Sequence, residues 1–149
     1  MTETRKSWLA TADARQAKLF HVSRTDQGSS HVEERAAIKD DWEGHEHGRP
    51  SARTDSHGHS YASEGHETDE QLQRFARKVG AWLEERLEEH GIDQAIVFCP
   101  PRFLGSLRKT WSPALLKRTE AREVDLSRLD AGALAVHPAV VKAMGLSPA

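Results

Sequence analysis

The sequence predicts an α/β sandwich built on a mixed sheet, and three observations carry that prediction. Two apolar runs flank a short polar turn near the N-terminus, a long amphipathic stretch occupies the middle of the chain, and a continuous apolar run follows it. Strands first, then helix, strand and helix is an α/β order. The length, 149 residues, suits a single domain (1–149) with one core.

Ser7 to Val22 opens with apolar residues, turns at Asp13-Ala14-Arg15 and continues through Ala17, Leu19, Phe20 and Val22, the pattern of a hairpin. In the second run Ala17, Leu19 and His21 fall on one face, with Lys18, Phe20 and Val22 on the other. Apolar residues on both faces place this strand inside the sheet. Asp26-Gln27-Gly28-Ser29-Ser30 has turn composition, and His31 to Lys39 reads as a polar, edge-like third strand carrying Glu33-Glu34-Arg35.

From Asp40 to Glu67 only Trp42, Ala52, Tyr61 and Ala62 are apolar beside four glycines, too little to offset the entropy of ordering. This stretch predicts a long flexible loop. It carries five of the nine histidines and a formal charge of −5 with those histidines neutral. Thr68-Asp69-Glu70-Gln71 fits a capping box that opens a helix, in which Leu72, Phe75, Ala76, Val79, Trp82, Leu83 and Leu87 keep helical spacing. His90-Gly91 is its predicted end. Ala95 to Cys99 is a central buried strand closed by Pro100-Pro101. Phe103 to Thr110 and Pro113 to Arg118 predict short helices, Arg122 to Leu126 a further strand, and His137 to Met144 a last helical turn or two.

Composition narrows the function classes. The single cysteine forms no intramolecular disulfide, no apolar run approaches the roughly 18 residues of a membrane span, and the polar start Met1-Thr2-Glu3-Thr4-Arg5-Lys6 lacks a signal peptide's apolar stretch. A soluble, cytoplasmic protein without a membrane partner is the expectation, and no cofactor is implied. The net charge of −2 neither excludes nor advertises nucleic acid. Pro100 to Arg128 is different, with Arg102, Arg108, Lys109, Lys117, Arg118, Arg122 and Arg128 against three acids. Such an excess beside a sheet edge collects phosphates, although the same residues also suit a solvated basic face. Trp111 is either a platform for a base or a core residue.

Two catalytic readings compete with binding. His45-Glu46-His47 and His57-Gly58-His59 are ligand pairs for zinc or another transition metal on extended backbone, and with Asp13 they define a small metal-assisted hydrolase. Their bland counterpart is a solvated loop, with Asp13 a turn residue. Cys99 ends a buried strand, where open α/β sheets place their sites, but no Cys-His motif surrounds it and an inert core thiol is favoured.

Trp8-Leu9-Ala10-Thr11-Ala12-Asp13-Ala14-Arg15-Gln16-Ala17-Lys18-Leu19-Phe20, Gly48-Arg49-Pro50, Arg74-Phe75-Ala76 and the run from Ala95 to Arg108 resemble, in order, the bacterial proteins required for attachment to host cells. These are regarded as relatives of the middle domain of archaeo-eukaryotic release factors and of the ribosome-rescue factor Pelota. The resemblance implies a three-layer α/β fold with an N-terminal β-meander. In the release factors the loop between meander and long helix carries Gly-Gly-Gln; here the 40–67 interval has no such motif. The implied function is therefore a non-catalytic module that contacts RNA or the ribosome and affects attachment indirectly. Its candidate phosphate-binding residues are Arg102, Arg108, Lys109, Arg74 and Arg49.

Overall fold

The computed structural model describes residues 7–24, 30–40 and 57–146. The hairpin forms because Asp13 builds the turn. Its Oδ1 accepts hydrogen bonds from the backbone N–H groups of Arg15 (2.8 Å) and Gln16 (2.9 Å). Strand β1 (Trp8–Ala12) thereby pairs antiparallel with β2 (Gln16–Arg24), and β2 pairs antiparallel with β3 (Ser30–Lys39). Arg35 is the extra residue of a bulge in β3, since Leu19 pairs with Ala36 and Phe20 with Glu34.

The helix α1 (His57–His90) corrects the predicted boundary. Residues 57–67, expected as the end of the loop, are helical, and the capping-box sequence at Thr68 lies inside the helix. Extending a formed helix is far easier than nucleating one, so a polar segment continues a helix that its apolar partner stabilises. The rest of the expected loop, residues 41–56, lies outside the described residues, and Arg49, His45 and His47 with it. At the other end Gly91 adopts φ 63°, and Ile92 N–H donates to Leu87 O at 2.8 Å. This is the predicted glycine stop.

Strand β4 (Ala95–Cys99) is buried at every position and pairs parallel with β1 on one side and with β5 (Thr119–Glu123) on the other. Between them run α2 (Pro101–Thr110) and α3 (Pro113–Arg118), whose cap Ser112 accepts from Leu115 N–H at 3.1 Å. β5 starts three residues before the predicted 122–126. Val124 and Leu126 mimic strand alternation, but Leu126 is buried beyond the strand's end. The chain closes with α4 (Ala131–Val136), which the sequence reading did not anticipate and which Asp130 caps through Ala133 N–H (2.9 Å), and α5 (Pro138–Met144).

The sheet order is β3-β2-β1-β4-β5. Alternation along the strands sends Ala10, Ala12, Ala17, Leu19, Val97 and Cys99 to one face, where they pack with Phe75, Val79, Leu83, Phe103, Leu107 and Leu115 from α1, α2 and α3. Leu9, Phe20, Val22, Ile96 and Phe98 pack on the other face with Leu134, Val140 and Met144 from α4 and α5. Helices on both sides of one mixed sheet make the α/β, three-layer arrangement that was expected. Arg24 Nη2 donates to Met144 O (2.6 Å) and Arg118 Nη2 to Ile92 O (2.6 Å), tying helix ends to the sheet region. Among the described residues no helix is long and apolar enough to cross a membrane.

Candidate functional site

β1 and β4 are parallel neighbours whose chains then depart in opposite directions, β1 toward β2 and β4 toward β5. Such a divergence leaves a crevice beyond the carboxyl ends of the two strands, because the connections that follow them lead to opposite sides of the sheet. A cavity of about 540 Å³ occupies that position, within the usual size range of a ligand site. Ala14, Leu72, Pro100, Pro101 and Phe103 supply its apolar walls, and Asp13, Arg15, Arg102 and Arg128 its polar groups.

Each polar group arrives for a local reason. Arg15 follows Asp13 in the β1–β2 turn. Arg102 stands in the first turn of α2, which starts at this edge because Pro100 ends β4 and Pro101 opens the helix. The N–H groups of Arg102 and Phe103 have no acceptor within the helix, so the first turn adds partial positive charge at the same edge. Arg128 lies after β5 in a segment pinned to the β1–β2 turn. Ser127 Oγ stands 2.6 Å from Asp13 Oδ2 and 2.8 Å from Asp125 Oδ1, and Gln16 Nε2 donates to Ser127 O at 3.3 Å. Ser127 is buried, so these contacts hold the neighbouring Arg128 at the cavity.

The charge balance favours an anion. Among the lining residues three guanidinium groups outnumber the one carboxylate, whose oxygens accept from two backbone N–H groups and lie against a hydroxyl, while Arg15 and Arg102 each already have an interaction partner. Arg102 Nη2 contacts Asp69 Oδ1 of α1 at 2.6 Å, with the two side chains 58% and 67% exposed. A pair so exposed is worth at most about 1 kcal/mol, so Arg102 can exchange it for another anion. Arg128 is exposed and makes no hydrogen bond or ion pair among the described residues.

Of the five basic candidates, Arg102 alone is at the cavity. Arg74, Arg108 and Lys109 are exposed on α1 and α2 but do not line it, and Arg49 is outside the described residues. The basic stretch is partly consumed internally. Arg118 pairs with Glu88 (3.2 Å), Arg122 pairs with Glu120, and Arg102 pairs with Asp69. Arg15 lies outside the candidates drawn from the sequence and Arg128 enters only within the basic 100–128 stretch, although the rule that points to Cys99 applies equally to the residues after β1.

Among the described residues the catalytic candidates are not brought together, and His45 and His47 lie outside them. Asp13 serves the turn and Ser127. His57 belongs to α1, as does His59, so the extended backbone that the ligand-pair argument needs is absent there. No group of three or more His, Cys, Asp or Glu suited to a metal exists among the described residues. Cys99 is fully buried, and burial pushes its thiol up to about 12, with the nearby Arg108 opposing the rise and Asp125 and Glu123 adding to it. It is a core thiol. Trp111 likewise belongs to the core, 5% exposed, with Nε1 donating to Ala76 O at 2.8 Å.

No curated protein matches the chain. A family model does, over residues 8–138, spanning every described strand, the cavity and most of the helical layers. The chain therefore belongs to the family described as protein required for attachment to host cells.

Proposed function

We propose that this protein is a cytoplasmic, non-catalytic RNA-binding module that associates with the ribosome and supports host attachment indirectly. Membership of the family points to a role in attachment to host cells. The observation that carries the RNA reading is the cavity between the ends of β1 and β4, rimmed by Arg15, Arg102 and Arg128. Guanidinium groups recognise phosphate oxygens through paired hydrogen bonds, and such contacts supply affinity without reading base sequence. The exposed Arg108 and Lys109 extend positive charge along α2 and add further backbone contacts. The kinship that the host-attachment proteins are regarded as having with the middle domain of the release factors and with Pelota is what suggests a ribosomal partner. The missing Gly-Gly-Gln argues against peptide release.

Co-sedimentation with ribosomes at moderate salt tests the reading. Wild-type protein is expected in the ribosomal pellet, and the double variant Arg102→Glu/Arg108→Glu in the supernatant. A wild-type protein that stays in the supernatant and carries no RNA on purification overturns the proposal.

A further inference from the structure

The cavity has features that a flat basic surface lacks. Its three arginines come from three separate segments, the β1–β2 turn, the first turn of α2 and the stretch after β5, and converge on one concavity. A charge run along one helix serves a passing strand; convergence from three segments serves one anionic group. A phosphodiester inside a nucleic acid carries one negative charge, whereas a phosphomonoester, with a second pKa of about 6, carries nearly two at neutral pH. Three guanidinium groups fit the second better. The remaining wall is apolar, its accessible part supplied by Ala14, Pro100 and Pro101 over the buried Leu72 and Phe103, and offers a surface for a flat, weakly polar body. The volume of about 540 Å³ is that of a small-molecule site.

We infer that this cavity binds a nucleotide phosphomonoester, with the phosphate on Arg15, Arg102 and Arg128 and the base against the apolar wall. The ligand chemistry has two sources, a free nucleoside monophosphate or the phosphorylated end of an RNA, and only the second rests on the RNA-binding reading. Arg102 exchanges its exposed partner Asp69 for the phosphate. Asp13 does not repel it strongly, because its oxygens are already engaged by the turn N–H groups and Ser127.

Calorimetric titration and saturation-transfer NMR of the full chain with AMP, adenosine, and a ten-residue single-stranded RNA carrying either a 5′-phosphate or a 5′-hydroxyl test the inference. AMP is expected to bind and adenosine to bind at least about tenfold more weakly, as loss of charge-assisted hydrogen bonds requires. Arg128→Ala, which removes no hydrogen bond or ion pair among the described residues, is expected to weaken AMP about tenfold, while Lys142→Ala on α5, against the other face of the sheet, leaves it unchanged. Tighter binding of the 5′-phosphorylated RNA identifies the RNA end as the source. AMP binding without binding of either RNA identifies the free nucleotide and overturns the RNA reading alone. Equal binding of both RNAs with none of AMP overturns this inference and leaves the RNA reading standing. Binding of AMP that Arg128→Ala and Arg15→Ala both leave unchanged, or no binding of any probe, also overturns it.

Discussion

Gly80 of α1 lies directly beneath the indole of Trp111, so closely that a Cβ on Gly80 would stand 2.6 Å from Trp111 Cδ1 and 2.8 Å from Nε1. The ring cannot retreat freely, because its Nε1 donates to Ala76 O and its own backbone N–H donates to Leu107 O at 3.0 Å. This contact sets how closely α2 approaches α1, and with it the position of the cavity edge that α2 supplies.

Replacing Gly80 by alanine sets two effects against each other. Alanine gains about 1 kcal/mol of helix propensity. Forcing a methyl group into a packed, hydrogen-bonded aromatic costs about 1–3 kcal/mol plus a weakened hydrogen bond. The expected outcome for Gly80→Ala is a net loss of about 1–2 kcal/mol, measured by urea denaturation. Equal or greater stability would show that the helices separate without cost.

Asp13 is expected to matter for stability and for the placing of Arg128. Asp13→Ala leaves the N–H groups of Arg15 and Gln16 and the Ser127 hydroxyl without their acceptor. A loss of about 1–3 kcal/mol follows. If Asp13 instead held a metal, removal of its charge would not affect metal-free protein this way, so denaturation after treatment with a chelator separates the roles.

Cys99 is expected to resist thiol reagents in the folded protein. Burial raises its folded-state value from an ordinary 9.0 to about 12, so the folded protein disfavours the thiolate. This contribution to stability is complete below about pH 9 and is lost as pH rises from there toward 12, because the unfolded thiol ionises first. At pH 7.5 labelling should track global unfolding measured by circular dichroism. Rapid labelling under native conditions would contradict a core thiol.

The imidazole of His21 gives a second pH signature at the opposite end of β1. It packs on Trp8, with ring centroids 4.5 Å apart, and Trp8 also meets His90 at 5.1 Å. Burial lowers the His21 value below 6.5, and Arg35, His90 and Arg24 act in the same direction while Glu33 opposes them. The unfolded state then takes up the proton first. Stability is fully present above about pH 6.5 and falls as pH drops through the lower folded value. His21→Gln should flatten that slope between pH 7 and pH 5, and NMR titration should place the His21 midpoint below 6.5. A midpoint above 6.5 would refute the assignment.

What the sequence revealed follows from the range of the forces involved. The turn at Asp13, the two-faced β2, the buried run Ala95–Cys99 and the stop at Gly91 are local or periodic signals, and each was legible. The start of α1 was not, because helix propagation into a polar segment leaves no periodic trace. The position of β5 was misread by three residues because an edge strand of alternating charge shows no apolar pattern, whereas Leu126 beyond it does. At the site, Arg102 stood next to a recognisable strand end. Arg128 is held at the cavity by the contacts of Ser127 with Asp13 and Gln16, 114 and 111 positions earlier, which no local pattern encodes.

Those long contacts also govern when the site comes into being. A nascent chain that has reached Glu123 already possesses all five described strands of the sheet, yet it lacks both the serine that clasps the first turn and the arginine that completes the rim. Synthesis thus separates the making of the scaffold from the making of the binding site, and the protein acquires its full cluster of cations only when its final quarter has been laid against its first strands.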